Sequence, residues 1–287
     1  MKHLNLFITL TRLDRPIGYM LLFWPCMWGL TIAYNFNGEI ITYLKYTFFF
    51  LTGSVLMRSA GCVMNDILDR NFDKKVFRTK NRPIASGKIS VKLGLTYVLL
   101  LCLCALLVLL NFNNFIIILA LGSMPLAFSY PLMKRYTYWP QLFLGITFNY
   151  GLILGWVCIK NQIDIIPVIF YVGAIFWTLG FDTIYGFQDI KDDEIIGVKS
   201  TSIKFKKKPK LFLILCYLIF IISLIGVGFF MKFNTIFYLC LLVPTFHLFF
   251  YQIYNFNFKD PKNSLMIFKS NNFLGVVVLC NILIGKV

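Results

Sequence analysis

Long apolar stretches constrain this chain more than any other feature of the sequence. A helix that crosses the hydrocarbon core of a bilayer needs about 20 apolar residues. Only 14% of the residues are charged, whereas soluble domains have about a quarter, so a soluble fold is excluded. The sequence predicts an all-α, multi-pass membrane protein with nine transmembrane helices, at 17–35, 44–65, 93–111, 115–132, 139–159, 165–187, 210–231, 235–254 and 266–285.

The basic residues are distributed unequally between alternate connecting segments. Most of the 28 Lys and Arg residues lie before the first span or after the second, fourth, sixth and eighth. The remaining segments contain only Lys45, Lys160, Lys232 and Lys286. Because Lys and Arg are retained in the cytoplasm, we expect the N-terminus to be cytoplasmic and the C-terminus to lie on the opposite side.

This distribution also explains the net charge of +16. Basic loops orient the chain and contact anionic headgroups of the lipid bilayer, so no nucleic acid is needed as a partner. The start of the chain resembles neither a cleavable signal peptide nor an Arg- and Ser-rich organelle presequence. We therefore expect a bacterial inner membrane.

The acidic residues are concentrated near the cytoplasmic ends of the second and sixth predicted spans. Eight of the 12 fall in these two places: Asp66, Asp69 and Asp73 in one, and Asp182, Asp189, Asp192, Asp193 and Glu194 in the other. Carboxylates close to a membrane are costly and often functional. Ordinary solvated loop charges are the alternative, and two similar clusters at equivalent helix ends argue against it.

Oxygen-bearing side chains recur every four residues in both clusters, so on a helix they share one face. Asp182 lies two turns before Asp189 on the same side. Like charges at this spacing repel, and a bound cation offsets the repulsion. Mg²⁺ prefers carboxylate and amide oxygens together with substrate phosphates. The predicted metal ligands are Asn65, Asp69, Asp73, Asp189 and Asp193.

Cations follow each acidic cluster along the chain. A group with several negative charges that is bridged by Mg²⁺ also needs direct contacts from Arg and Lys. A diphosphate meets both requirements, whereas a simple carboxylate or a sugar does not. The predicted diphosphate-binding residues are Arg70, Arg78, Arg82 and Lys199.

Two strings in the sequence resemble the motifs of the intramembrane aromatic prenyltransferases. The first is NDILDRNFD at 65–73, which continues to the RP at 82–83 and the SG at 86–87. The second is DTIYGFQDIKDD at 182–193, followed by GVKST at 197–201. Together with RPIG at 15–18 and YPLMKRYT at 130–137, they are most similar to the branch of the family that prenylates 4-hydroxybenzoate.

The resemblance covers nearly the whole chain and implies a single domain over residues 1–287. It implies a helical bundle around a central cavity, with a cytoplasmic cap above and a lateral opening to lipid. The implied reaction transfers a polyprenyl group from a polyprenyl diphosphate to the ring carbon ortho to the hydroxyl of 4-hydroxybenzoate, in ubiquinone biosynthesis with Mg²⁺ as cofactor. Ile67 and Gly186 depart from the common Tyr and Ala, but neither change removes a ligand.

The resemblance also implies roles for individual residues. Asp69, Asp73, Asp189 and Asp193 act in catalysis through the metal, and either Asp182 or the diphosphate removes the ring proton. The rings of Tyr130 and Tyr185 stabilise the allylic cation. Arg135 is the first candidate for binding the acceptor carboxylate, followed by Lys134 and Arg15.

Two alternatives remain at this stage. The chain could be a prenyltransferase of the same superfamily that uses a naphthoate for menaquinone, a tocopherol precursor or haem as acceptor. It could also be a multi-pass transporter, although transporters usually place their charges near the bilayer midplane. The sequence determines neither the length of the prenyl chain nor the oligomeric state.

Overall fold

The computed structural model describes residues 2–286, and every regular element in that range is a helix. Fourteen α-helices are accompanied by a 3₁₀ turn at Tyr130–Leu132 and a π-helix at His247–Tyr254. The α-helices are α1 (Lys2–Thr11), α2 (Ile17–Ala33), α3 (Ile40–Asp73), α4 (Val91–Leu109), α5 (Asn114–Ser129), α6 (Met133–Tyr136), α7 (Pro140–Lys160), α8 (Ile165–Gly186), α9 (Ile190–Ile196), α10 (Thr201–Lys204), α11 (Pro209–Met231), α12 (Thr235–Cys240), α13 (Leu242–Phe246) and α14 (Pro261–Gly285).

The predicted membrane spans are helical in the structure. Eight helices within the described part of the chain are long and apolar enough to cross a membrane, with α5 to α6 and α12 to the π-helix each counted as one. The other predicted span is α2, which is apolar but only 17 residues long. At 1.5 Å per residue it measures about 26 Å. The multi-pass helical architecture is therefore confirmed, with eight long helices and one shorter helix.

Helix α3 is longer than the sequence predicted. It does not end near residue 65 but continues to Asp73, for a total of 34 residues. Its length of about 51 Å exceeds the ~30 Å hydrocarbon core by roughly four turns. Asn65, Asp69 and Asp73 consequently lie on one unbroken helix and share a face, as their spacing predicted.

The second acidic cluster does not lie on one helix, so the expectation of a single shared face was wrong. Helix α8 ends at Gly186, and α9 begins at Ile190. At the end of α8 the chain passes very close to α10. A Cβ on Gly186 would lie only 2.3 Å from Ser202 Oγ. Asp182 therefore belongs to α8, whereas Asp189 and Asp193 frame the first turn of α9.

Helix α2 lies at the centre of the bundle and packs against α3, α7 and α14. Its approach to α7 is unusually close, since a Cβ on Gly155 would lie 2.2 Å from the carbonyl oxygen of Cys26. Small residues allow such contacts between membrane helices. A separate apolar cluster joins α1 to α3 and α4 through Leu10, Val63 and Val98. These contacts hold α1, α2 and α3 together beside a common cavity.

Candidate active site

A polar cavity of about 340 Å³ lies where the ends of α3, α8 and α9 meet. The structure brings to it every site residue that the sequence predicted except Arg70 and Arg135. The predicted residues that line it are Arg15, Asn65, Asp69, Asp73, Arg78, Arg82, Tyr130, Lys134, Asp182, Tyr185, Asp189, Asp193 and Lys199. Residues more than 100 positions apart in the sequence thus share one site.

Arg70 and Arg135 lie outside the cavity lining. The Arg70 side chain is exposed at the end of α3. Arg135 packs against the end of α3, where Nη2 donates to the carbonyl oxygen of Leu68 at 2.8 Å and the guanidinium lies 5.3 Å from the centre of the Phe72 ring. The structure therefore does not place these two arginines where they were expected to bind diphosphate or acceptor.

The Asp69 carboxylate is buried and lies beside two cations, of which only Lys134 donates a hydrogen bond to it. Lys134 Nζ donates to its Oδ2, and Arg135 Nη2 lies 4.0 Å from its Oδ1. The Oδ1 atom is buried and has no hydrogen-bond partner. A buried carboxylate oxygen without a partner is costly unless a cation binds it. Lys134, which was expected to bind the acceptor, instead serves as the counter-ion of Asp69 in this structure.

Arg78 pairs with the second acidic cluster from the loop after α3. Its guanidinium forms two hydrogen bonds to Asp189, with Nε donating to Oδ1 at 2.7 Å and Nη2 donating to Oδ2. The same guanidinium lies 5.8 Å from the centre of the Tyr185 ring. This bidentate pair connects the loop after α3 to the second acidic cluster.

Arg82 and Arg12 form a second ion-pair network behind the first cluster. Arg82 Nη1 donates to Asp73 Oδ2 at 2.9 Å and to Asp66 Oδ1 at 3.1 Å, and Arg12 Nη2 donates to the same Asp66 oxygen at 2.7 Å. Asp66 is 1% exposed and does not line the cavity. It accepts hydrogen bonds from both arginines and so links them behind the cavity wall. Arg12, which sequence reasoning missed, adopts a left-handed backbone (φ 56°).

Asp189 and Asp193 are the acidic ligand candidates that lie outside the membrane-spanning helices. Burial and the neighbouring Asp189 raise the pKa of the Asp193 carboxyl to about 6, although Lys134 and Arg78 oppose the shift. A carboxyl with this pKa changes charge in the physiological range. The charge of the site therefore depends on pH.

The donor set of the cavity fits Mg²⁺. Within residues 2–286, no three His, Cys, Asp or Glu side chains are close enough to hold a metal ion by themselves. The candidate donors nevertheless line one cavity, all of them carry hard oxygen atoms, and Asp69 Oδ1 is buried without a partner. Mg²⁺ usually binds through one or two carboxylates and completes its coordination with water and substrate phosphates, so a preformed protein cage is not required.

Arg58, within the second predicted span, is a further functional candidate. It lies inside α3, lines the cavity and has a buried Nε without a hydrogen-bond partner. Gly18 leaves room for it, because a Cβ there would lie 2.9 Å from that Nε. A charged residue within a membrane helix is a functional-site signal in its own right, and it could have identified Arg58 from the sequence.

An apolar pocket of about 440 Å³ adjoins the polar cavity. It lies among α2, α3, α4, α5 and α7 and is lined mainly by aliphatic and aromatic side chains. Arg58, Tyr130 and Phe148 line both spaces and mark the boundary between them. The site can therefore accept a molecule with a multiply charged head and a long apolar chain.

Several known proteins are similar to this chain in sequence or in fold. The chain is 47% identical over 207 residues to the mitochondrial 4-hydroxybenzoate polyprenyltransferase of Arabidopsis thaliana, an alignment that covers 71% of this chain and 50% of the relative. It is 34% identical to the 4-hydroxybenzoate octaprenyltransferase of Hydrogenovibrio crunogenus, covering 99% of this chain and 98% of the relative. A UbiA homolog from Archaeoglobus fulgidus, solved with GPP and Mg²⁺, superposes with a TM-score of 0.71 at 16% identity over 98% of both chains.

A family-level comparison matches residues 22–274, which include both acidic clusters, Arg58 and the apolar pocket. The match covers most of the chain and most of the residues that line the cavity. This multi-pass membrane protein belongs to the UbiA prenyltransferase family.

Proposed function

We propose that this protein transfers a polyprenyl group from an allylic polyprenyl diphosphate to the ring carbon ortho to the hydroxyl of 4-hydroxybenzoate, as a step of ubiquinone biosynthesis. The observation that carries the proposal is the junction of two spaces at Arg58 and Tyr130. One space is rich in carboxylates and cations, and the other is apolar, with a volume of about 440 Å³ that suits an isoprenoid chain. The names of the relatives from Arabidopsis thaliana and Hydrogenovibrio crunogenus support the choice of acceptor.

The acidic clusters would hold the magnesium. We assign Asn65, Asp69, Asp73, Asp189 and Asp193 as its ligands, since their oxygen atoms line the cavity from both sides. The homolog from Archaeoglobus fulgidus was solved with Mg²⁺, which supports this metal. When bound, Mg²⁺ neutralises the charge that grows on the departing diphosphate.

The cavity cations would bind the diphosphate directly. Arg78 and Arg82 now contact Asp189 and Asp73, and the same guanidinium groups lie close enough to the cavity to contact phosphate oxygens. Lys199 lines the same wall. Cations aimed at the leaving group stabilise the negative charge that develops as the allylic C–O bond breaks.

Arg58 is the residue we assign to the acceptor carboxylate. Its buried Nε needs a partner, and its position between the two spaces places a bound carboxylate close to the allylic carbon of the donor. Tyr130 and Tyr185 line the cavity beside this position, where their ring faces stabilise a cation. Asp182, on the same wall, is our candidate for removing the ring proton after the new bond forms.

We also propose that the chain acts in the bacterial inner membrane as a single domain, with the polar cavity open to the cytoplasm. The excess of Lys and Arg in the segments on the cavity side supports this orientation. The relatives named above include both a bacterial and a mitochondrial enzyme.

A reconstituted assay tests the proposal. Membranes that contain the protein receive Mg²⁺, a series of polyprenyl diphosphates, and either 4-hydroxybenzoate, a dihydroxynaphthoate or homogentisate. We expect prenylated 4-hydroxybenzoate as the main product, loss of the product with EDTA, and loss with Asp69→Asn but not with Asp14→Asn, whose carboxyl is exposed. Prenylation of another acceptor in preference to 4-hydroxybenzoate would reject the acceptor assignment, and no diphosphate release with any acceptor would reject the enzyme class.

A further inference from the structure

A network of polar side chains lies in the apolar interior behind the cavity. Four side chains from four different elements meet there, and each is fully buried: Trp177 from α8, Tyr217 from α11, Gln252 from the π-helix and Asn271 from α14. Buried polar groups in membrane helices are costly and mark functional positions. The reaction proposed above uses none of these four residues.

The hydrogen bonds of the network fix the orientation of both amides. Tyr217 OH donates to Gln252 Oε1 at 2.6 Å, and Gln252 Nε2 donates to Asn271 Oδ1 at 3.0 Å. Trp177 Nε1 donates to the same Asn271 oxygen at 2.9 Å. Asn271 Nδ2 then donates to the backbone oxygens of Ile267 and Phe268. Every polar atom of the two amides therefore has a partner, and a network satisfied in this way is rigid.

The π-helix is the feature that places Gln252 in the network. His247 and Gln252 are five residues apart, so in an α-helix their side chains would point about 140° apart around the axis. In this structure Gln252 Nε2 lies 3.4 Å from His247 Nδ1, and both residues are buried. The π-helical winding of His247–Tyr254 brings them together. π-Helical segments frequently occur at functional sites.

The network lies directly behind an aromatic wall of the active-site cavity. This wall consists of Phe181, Tyr185 and Phe268, all of which line the cavity. The ring of Trp177 lies edge-on to Phe181 at 4.9 Å, and the ring of Phe268 lies 4.5 Å from that of Tyr185. Asn271 also bonds to the backbone of Phe268, so the network holds two of the three wall residues from behind.

We propose that Gln252 and Asn271 are positioning residues that hold this aromatic wall against the reacting carbon and keep water away from it. The inference rests on the proposed function. When the allylic C–O bond breaks, the diphosphate leaves with the electron pair, and the allylic carbon forms a bond either to the acceptor ring or to water. Each route releases one proton, and the water route yields a polyprenol. A wall held in place favours the acceptor route.

The ratio of prenylated acceptor to polyprenol tests this inference. Asn271→Leu and Gln252→Leu should increase the share of polyprenol at least fivefold, with donor binding changed by less than twofold. The milder Tyr217→Phe, which removes only a hydroxyl, should shift the ratio in the same direction. Loss of folded protein lowers both products together and leaves their ratio unchanged, so a purely structural role does not give the expected result.

Asn281→Leu is the matched control. Asn281 is another buried asparagine of α14, ten positions further on, and its amide has no hydrogen-bond partner. Its substitution should leave the ratio as in the wild type. Wild-type product ratios in folded Asn271→Leu and Tyr217→Phe would overturn the positioning role. Absence of prenylated acceptor in the wild type would instead overturn the proposed function.

Discussion

Arg58 has a buried Nε and, unlike four other cations of the site, no acidic partner among its described hydrogen bonds and ion pairs. Arg12, Arg78, Arg82 and Lys134 each contact an aspartate. The guanidinium of Arg58 instead packs 5.3 Å from the centre of the Phe148 ring. A buried cation without a protein counter-ion is costly, and a negatively charged ligand offsets that cost.

Replacing Arg58 by methionine should therefore impair the use of 4-hydroxybenzoate. Removing one partner of a buried ion pair costs about 3–5 kcal/mol, so we expect kcat/KM for 4-hydroxybenzoate to fall at least about 100-fold. The kcat/KM for the neutral analogue 4-hydroxybenzamide should fall much less. The KM for the donor should stay within about twofold of the wild-type value.

Arg135→Gln is the comparison for this experiment, since Arg135 lies outside the cavity. It should preserve the preference for 4-hydroxybenzoate over the amide. If Arg135→Gln abolished this preference and Arg58→Met did not, the acceptor carboxylate would bind at Arg135, as the sequence first suggested.

Asp193 gives the site a pH dependence whose direction follows from its pKa. Burial and the nearby Asp189 raise the pKa of Asp193 to about 6, so this carboxyl is mostly protonated at pH 5 and ionised at pH 7. A metal ligand must be deprotonated to bind. We expect the affinity for Mn²⁺, measured by calorimetry or EPR without substrate, to fall about tenfold from pH 7 to pH 5.

The variant Asp193→Asn identifies the group responsible for this dependence. It should bind Mn²⁺ more weakly at pH 7, and its affinity should change much less between pH 7 and pH 5. An unchanged pH dependence in this variant would show that another carboxyl titrates.

At the residue scale, periodicity identified some members of the site better than others. Asn65, Asp69 and Asp73 recur along one helix, so their shared face was predictable. Arg12 was not, because it reaches Asp66 across 54 positions and ends a short helix in a left-handed conformation that no local pattern indicates. Residues that pair only because the fold brings them together cannot be identified from their spacing in the sequence.

Helix α3 shows what an element contributes beyond its membrane span. Its apolar part crosses the membrane, and its final turns carry the first acidic cluster above the hydrocarbon. In those turns the aspartates form ion pairs with Arg12, Arg82 and Lys134. The predicted helix ended near residue 65 because hydropathy stops there, whereas the helix itself is continued by tertiary contacts.

Two other features of the elements also depended on tertiary contacts. Helix α10 approaches Gly186 closely just before the break between α8 and α9, and Gln252 of the π-helix bonds to buried partners on two other helices. The positions of the nine apolar helices, by contrast, followed from hydropathy alone. Sequence patterns predicted which segments are helical, but not where their register changes.

The contact between α2 and α7 leads to a prediction about stability. A Cβ at position 155 would meet the backbone of Cys26 at 2.2 Å and of Leu30 at 2.7 Å. Backbone atoms move less easily than side chains, so Gly155→Ala should lower the free energy of unfolding by about 1–3 kcal/mol or more. Thermal unfolding in detergent measures the loss. At Gly122 a Cβ would meet nothing within 4 Å, so Gly122→Ala should unfold at nearly the wild-type temperature.

At the scale of the whole molecule, contacts near the two ends of α2 place Arg12 and Lys286 at opposite ends of the bundle. Arg12, just before α2, contacts Asp66 near the cavity end of α3. Lys286, just after α14, donates to the carbonyl oxygens of Thr31 and Ile32 at the other end of α2. Helix α2 therefore runs the full distance between the two faces despite its 17 residues.

The orientation of this bundle in the membrane can be tested with two surface cysteines. Five long helices, from α3 to α8 with α5 and α6 counted together, separate the exposed positions Asn37 and Lys207, and an odd number of crossings places these positions on opposite faces. Basic residues are retained inside, so Lys207→Cys should react with an impermeant maleimide only in inverted vesicles, and Asn37→Cys only in intact cells. The exposed native thiols Cys104 and Cys280 are replaced by serine in both variants. The reverse labelling pattern would place the diphosphate cavity on the outer face, where cytoplasmic donors could not reach it.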